Sequence, residues 1–571
     1  VKENLWPVLK ESIIGGNRFI ETPFGKRLLT YGDYTASGRG VLFIERYFER
    51  LMEEYGNTHT DDDHTGEITT ARLHIAENKI KSFLNAGDDY CIIEVGSGAT
   101  GAINRLQEIL GIYVPPVTKR RFEAMYNEFL GKDGAREFQE FLMSKRPVVF
   151  IGPYEHHSNE ISWRECFAEV VEIELDSKGE LDLRDLEKKL KNEQYSNRMK
   201  IGSFSAASNV SGIITPVYKV AEILHENDAY AFFDFAAAAP YREIDVNRNE
   251  KSYFDAVFFS PHKFLGGPGS CGILVFRRVL YHGELPPTYS GGGTVDFVNF
   301  NTQQYSHAIE IREKPGTPPI LQTLRAALAL ELKDLLGLRE IEKRESELIE
   351  KALKRFEKMD GVKVFGPRDP SKRLGIFSFT VRSGDAYLHP RFVVKLMNDL
   401  FGIQARAGCS CAGPYGHRLL GISPEKSLVY YDEIVTKQHK GIKPGWARIN
   451  LHFVMDDEEV DFILDAIEYI ADYGRYLLPL YDFDISSGSW RAKDSVNNRA
   501  NLSLAEWVEE WIGSSSRESS KDRENGKVNK KSLFKAYLAD AVKIGEEMKK
   551  SFSRYNLRYT RTDLIPYIYC S

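Results

Sequence analysis

The chain has 571 residues, of which 42% are hydrophobic and 28% charged, ordinary proportions for a soluble globular protein and enough length for two or three domains. A formal net charge of -6 with no strong basic block gives no electrostatic reason to expect a nucleic-acid or membrane partner, and no apolar run approaches the roughly 20 residues of a spanning helix. Six cysteines are too few for a disulfide framework, and the opening stretch VKENLWPVLKESIIGG lacks the apolar core of a signal peptide, so a cytoplasmic location is expected.

In chain order, residues 1–45 read as an N-terminal arm and 46–310 as a large domain. Near its start, DDDH at 61–64 reads as a solvated loop or helix start, since it lacks the twelve-residue spacing of a calcium loop. EVGSGATGAINRLQEIL sets a glycine-rich turn between a strand ending near Val95 and a helix. Short β-branched or aromatic runs then alternate with amphipathic ones. The runs are VVFI at 148, VVEIEL at 170, KIGSFSA at 200, AYAFFDF at 229, AVFFS at 256 and GILVF at 272. Helical patterns such as DLRDLEKKLKNE at 182 and TPVYKVAEILHEN at 215 lie between them, the latter with Thr215 as N-cap and Pro216 at the first helical position. Such alternation predicts an α/β fold with a mostly parallel sheet.

After a glycine- and proline-rich passage, LQTLRAALALELKDLLG opens a smaller α+β domain over 311–478, with strands in LGIFSFTV, GIQARAG and WARINLHFV. Residues 479–571 form a C-terminal extension, in which 514–531 is a polar linker and SLFKAYLADAVKIGEEMKKSF one amphipathic helix. Cys91, Cys166 and Cys271 sit among apolar neighbours as buried thiols would, Cys570 is expected to be unstructured, and only Cys409 and Cys411 lie in a glycine-flanked loop suited to chemistry.

Lys263 follows one strand end and Asp234 another, and ligands of such sheets bind beyond the carboxyl ends of the strands. A desolvated lysine has a depressed pKa and can condense with an aldehyde, the usual way of holding pyridoxal 5'-phosphate. That cofactor needs a phosphate cradle, for which the glycine-rich turn is a candidate, although such turns are common. It needs a carboxylate beside its ring nitrogen, which Asp234 offers, although a strand-end aspartate also caps turns. It needs a flat group over its ring, which His156 in GPYEHHSNEISW offers; paired histidines also bind metals, but no acidic or cysteine partner lies at a zinc-like spacing.

In order along the chain, NTHTDDDHTG, GSGATGAIN, EHHSNEISW, SNVSGIITPV, FDFAAAAP, FSPHKFLGGPGS, SGGGT, PGTPP and RAGCSCAGP resemble the class V aminotransferases, and within them the cysteine desulfurases and selenocysteine lyases. The resemblance covers roughly residues 30–475 and implies the type I fold of pyridoxal-phosphate enzymes. It implies that Lys263 forms the imine with the cofactor, that Ser260, His262 and Thr100 hold its phosphate, and that His156 stacks on the ring. Asp234 would pair with the ring nitrogen, and Asn209 would lie near the substrate and ring hydroxyl. Arg406 and Arg448 would grip the substrate carboxylate, Cys411 would be the nucleophile, and the enzyme would be a homodimer acting on a free amino acid, with a sulfur-acceptor protein as a further partner.

The chain departs from the family at several points. Ala237 stands where a glutamine is usual, and Ala99 replaces a threonine of the phosphate turn. Cys409, Ser410 and Cys411 look closer to the cysteine pair of molybdenum cofactor sulfurases, and Cys409, two residues from Cys411, would relay or reduce a persulfide; a disulfide between the pair, structural thiols, or a metal site with His417 or His439 are alternatives. Two stretches, 112–146 and 415–444, are long for the family. The expected activity is a cysteine desulfurase giving alanine and a persulfide on Cys411. The alternatives are a class V enzyme acting on a non-sulfur amino acid and a non-catalytic scaffold.

Overall fold

The short apolar runs between residues 90 and 277 pair into one seven-stranded sheet. Its spatial order is Tyr90–Val95, Gly272–Arg277, Ala256–Phe259, Ala229–Asp234, Lys200–Ser205, Val148–Ile151 and Glu169–Glu172. Gly272–Arg277 runs antiparallel to both neighbours, and every other adjacent pair is parallel. The computed structural model describes residues 5–58, 60, 62–493 and 528–570. Because side chains alternate along a strand, Phe232 and Phe258 enter one core while Phe233, Val257 and Phe259 enter the other, and both faces are sealed from water. The first core takes Ile103 and Leu106 from helix Gly98–Ile109, and the second takes Leu324 and Leu330 from helix Ile320–Leu336.

A second seven-stranded sheet is built mainly from residues 362–450. Its path is Arg406–Gly408, Trp446–Asn450, Ile376–Ser383, Ala386–Leu388, Tyr567–Cys570 and Leu557–Tyr559, with Val362–Val364 pairing onto Ile376–Ser383. The C-terminal segment thus supplies two strands of this sheet. Cys570, expected to be unstructured, is buried in the strand Tyr567–Cys570, because that strand pairs in parallel with Ala386–Leu388 and closes an edge that would otherwise be open. Helix Lys530–Ser551 packs Phe534 face to face on Phe462, with centroids 3.9 Å apart. The part of the expected linker up to residue 527 lies outside the described residues.

One helix start also differs from expectation. The helix after residue 215 runs Val217–His225 with Pro216 as its N-cap. Thr215 does not cap it, because its hydroxyl is buried and donates to the Ser205 carbonyl at 2.5 Å. Of the two long stretches, the first forms the largely exposed helix Pro116–Lys145, interrupted at Gly131, where φ is 69°. The second contains helices Gly413–Leu420 and Pro424–Tyr431, followed by one π-helical turn. Asp63 caps helix His64–Phe83 by accepting from Gly66 N–H, so the acidic run does end at a helix start. Among the described residues no helix is long and apolar enough to cross a membrane.

The arm is stitched to the second sheet. Thr30–Tyr31 pairs in parallel with Ile403–Gln404, Gly32 N–H donates to the Gln404 carbonyl at 2.9 Å, and Asn450 N–H donates to the Gly32 carbonyl at 2.8 Å. This places the turn at residues 33–37 against the carboxyl edge of the large sheet, where Gly38 N–H meets the His262 carbonyl at 2.9 Å.

Candidate active site

Parallel strands deliver the residues beyond their carboxyl ends to one edge, and here that edge receives Ser97 through Thr100, His156, Asp234 and Ser260 through Lys263. A cavity of about 230 Å³ opens there. Thr100, His156, Asn209, Asp234, Ser260, His262, Lys263, Arg406, Cys411 and Arg448 all line it, together with Thr35 and Ala36 of the arm.

Lys263 closes a single 3₁₀ turn, Pro261–Lys263, that opens on a proline, and its amine has no hydrogen-bond partner among the described residues. Burial pulls that amine down to about 8; the Asp234 carboxylate opposes the shift, and Arg448 and Arg406 add to it. Asp234 ends the strand adjacent to the one preceding Lys263, with Phe258 as its register partner. Its pKa is raised by burial, against a hydrogen bond from Ala236 N–H to Oδ1 at 2.8 Å and the Lys263 charge. Among the described residues the carboxylate accepts no other hydrogen bond, which leaves a buried acceptor for a ring N–H.

His156 takes the Ser158 backbone N–H on Nδ1 at 3.1 Å, which puts the imidazole proton on Nε2. Burial first, and then the Lys263 charge, hold its pKa down to about 4, so it presents a neutral flat face. The phosphate turn depends on close backbone approach. Gly98 has φ 58°, and a Cβ there would lie 2.7 Å from Ser260 Oγ; a Cβ on Gly272 would lie 2.1 Å from the Gly98 carbonyl oxygen. Ala99 N–H at the start of the helix donates to Ser260 Oγ at 2.8 Å, and the hydroxyls of Thr100 and Ser158 are 2.6 Å apart. A helix N-terminus ringed by hydroxyls suits a phosphate, and His262, brought down to about 4 chiefly by burial, adds a neutral imidazole.

Asn209 donates through Nδ2 to the Ser410 carbonyl at 2.7 Å, while its buried Oδ1 has no partner among the described residues. Arg448 is 3% exposed, donates through Nη1 to the Asn209 carbonyl at 3.0 Å, and keeps a buried Nε–H that has no partner among the described residues. Its pKa is lowered by burial, against the opposing charge of Asp33. The unpaired Asn209 oxygen, the free Asp234 oxygen and the free Arg448 N–H are the groups a substituted pyridine ring and an amino-acid carboxylate would satisfy, so the residues present fit pyridoxal phosphate.

The cysteine loop holds two consecutive non-glycine residues in the left-handed region, Ser410 at φ 52° and Cys411 at φ 56°. It is pinned on both sides: His157 N–H donates to the Cys411 carbonyl at 2.8 Å, and Trp446 Nε1–H donates to Ser410 Oγ at 3.2 Å. The two thiols of the loop part company. Cys411 is exposed and lines the cavity with Lys263, whereas Cys409 lines a separate, mainly apolar hollow of about 250 Å³ with His417, Leu420, Tyr430 and Trp446.

Among the polar groups not anticipated from the sequence, Ser158 and Asp33 hold predicted site residues in place. Ser158 supports both His156 and Thr100, and it stands inside the EHHSN run, where it was readable. Asp33 lies in the arm and joins both arginines, Arg406 at 3.0 Å and Arg448 at 3.2 Å; no local pattern marks it.

The pattern described as Aminotransferase class-V matches residues 135–463, more than half of the chain. The chain belongs to the class-V aminotransferase family. A probable cysteine desulfurase of Halalkalibacterium halodurans is 29% identical over 417 residues, 72% of this chain and 88% of that one. One from Pyrococcus abyssi is 30% identical over 284 residues, 49% of this chain and 67% of the relative. Among solved structures, the apo cysteine desulfurase of Thermococcus onnurineus NA1 matches with a TM-score of 0.60 at 23% identity, covering 78% of this chain and 95% of that one. Escherichia coli CsdA, a cysteine desulfurase in S-sulfonic acid form, matches with a TM-score of 0.58 at 20% identity, covering 78% and 94%. These matches show the same mixed α/β fold, with a large sheet of mostly parallel strands.

Proposed function

We propose that the protein is a pyridoxal-phosphate-dependent cysteine desulfurase, which takes sulfur from free cysteine and leaves alanine. The observation that carries this reading is that Cys411 and Lys263 open on one cavity with Asp234 and two arginines. When bound, pyridoxal phosphate supplies an electron-withdrawing ring that accepts the electrons left on the substrate α-carbon. Lys263 would hold the cofactor, Asp234 would pair with its ring nitrogen, His156 would lie against its ring, and Ser260, His262, Thr100 and the helix N-terminus would take the phosphate. Arg406 and Arg448 bind the substrate carboxylate, a task suited to planar, multiply donating groups.

Within that frame the protein side chains move protons and sulfur. The amine of Lys263, poised near neutrality, takes the α-proton and later returns one. Cys411 as thiolate attacks the substrate sulfur. The new bond is Sγ–Sγ, the broken one is the substrate Cβ–Sγ bond, and its electron pair stays with carbon, which takes up a proton to become the methyl group of alanine. The enzyme is left as a persulfide on Cys411, from which an acceptor removes the sulfur. The exposed side chains of Phe297, Val298 and Phe300 on one hairpin support association of two copies as a homodimer.

The test is to incubate the cofactor-loaded protein with L-cysteine and measure alanine together with persulfide on Cys411 by mass spectrometry. Cys411→Ala should keep the cofactor spectrum and lose both products. A Cys411→Ala protein fully active on an amino acid without sulfur would instead establish the non-sulfur reading.

A further inference from the structure

Arg406 and Arg448 are direct partners across two antiparallel strands. Like charges in that relation repel and normally weaken a sheet. Here one carboxylate joins them, Asp33 Oδ2 accepting from Arg406 Nε and Oδ1 from Arg448 Nη2. Neither oxygen of Asp33 has another hydrogen-bond partner among the described residues, so the side chain caps no helix and closes no turn. Its backbone does the local work, its carbonyl accepting the Ala36 N–H at 2.9 Å. The strand pairing of Thr30–Tyr31 with Ile403–Gln404, which ends two residues before Arg406, and the bond from Asn450, two residues beyond Arg448, to Gly32 bring Asp33 between the two guanidinium groups.

The two arginines differ in freedom. Among the described residues Arg448 is buried and held on two sides, by Asp33 and by the Asn209 carbonyl, with Nε–H left over, and the Arg406 side chain is 51% exposed and hydrogen-bonded by its Nε alone. We propose that Asp33 is a positioning residue for substrate recognition. By bridging the cross-strand arginines, it fixes both guanidinium groups so that their remaining donors converge on the cavity and receive the α-carboxylate of an amino acid. Two guanidinium charges facing Asp33 and one incoming carboxylate balance, so a carboxylate ligand completes the charge of the cluster while a neutral ligand leaves it unbalanced. This inference rests on the proposed role of Arg406 and Arg448 as the carboxylate site, but not on sulfur chemistry.

The test compares L-alanine with L-alaninamide, which lacks the carboxylate charge, as ligands of the cofactor-loaded protein, followed by cofactor absorbance and independently by calorimetry. The wild type should prefer alanine. Asp33→Asn and Asp33→Ser should weaken alanine about tenfold or more while alaninamide changes less than about threefold, the loss expected when a partly buried charge that orients the buried Arg448 is removed. General loosening of the site would weaken both ligands alike and leave their ratio unchanged. An unchanged ratio, or tighter alanine binding in Asp33→Asn, overturns the proposal, and so does failure of both variants to fold by circular dichroism, which would make Asp33 a folding residue. A wild-type protein that forms no persulfide on Cys411, alongside the expected collapse of the ratio in the Asp33 variants, retains this inference and removes the desulfurase reading. Persulfide formation with an unchanged ratio does the reverse.

Discussion

Lys263 shows how one side chain carries both the cost and the use of burial. Its folded-state pKa of about 8 lies below the ordinary 10.5. At pH 7 both folded and unfolded chains carry the proton, and the folded state holds a desolvated charge. Between about pH 8 and 10.5 the folded protein sheds that proton while the unfolded chain keeps it, so stability gained from this group rises with pH through that window. In the cofactor-free protein, Lys263→Met should therefore be more stable than the wild type at pH 7, and the difference should shrink as pH approaches 10.5. Urea denaturation at a series of pH values measures it; a difference that stays flat across that range would place the Lys263 amine in water, not in a desolvated pocket. The same depressed value leaves a usable fraction of neutral amine near physiological pH, which the proposed proton transfer needs.

At the scale of the element, the loop 408–412 holds the thiol in place by backbone geometry and borrowed hydrogen bonds. Ser410 is left-handed without being glycine, a conformation costing of order 1 kcal/mol, and it is held by Asn209 and Trp446. Ser410→Gly should leave stability within about 1 kcal/mol of the wild type, relief of strain offsetting the lost bond from Trp446, whereas Ser410→Val should lower it by about 1–2 kcal/mol because a β-branched residue fits φ > 0 poorly. Guanidinium denaturation separates the two, and equal losses would show that the left-handed geometry is unimportant. Such strain has no signature in the letters CSC. The strands did: VVFI and AVFF are continuous apolar runs because both of their faces are covered, and the residues after them fall at one edge by topology alone. Lys263, Asp234 and His156 were therefore legible from strand ends. Asp33 was not, because its partners lie 373 and 415 residues away and only the arm's pairing with Ile403–Gln404 brings them together. Cys570 was misread for a related reason: a strand that joins a sheet nearly 180 residues upstream looks like a tail when taken alone.

Across the whole molecule, the C-terminal segment is tied both to the 415–444 stretch and to the N-terminal arm. Arg561 donates to Glu433 in the long stretch beside Cys409 at 2.6 Å, and Ile565 N–H donates to Tyr430 Oη at 3.0 Å. Helix Lys530–Ser551 reaches the arm, where Tyr537 Oη accepts the Leu28 N–H at 3.1 Å and the Arg27 guanidinium lies 4.7 Å from the Tyr537 ring centroid. The apolar anchor is Phe534, 4% exposed and stacked on Phe462. Phe534→Ala deletes a buried ring and leaves a cavity, at a cost of about 3–5 kcal/mol. The arm nevertheless keeps its own strand pairing beside Arg406, so the protein that remains folded should retain the KM of the wild type for its amino acid. Thermal unfolding and steady-state kinetics on the same preparation measure both. A KM that rises together with the loss of stability would mean that the C-terminal helix, and not the pairing of Thr30–Tyr31, holds the arginine cluster in register.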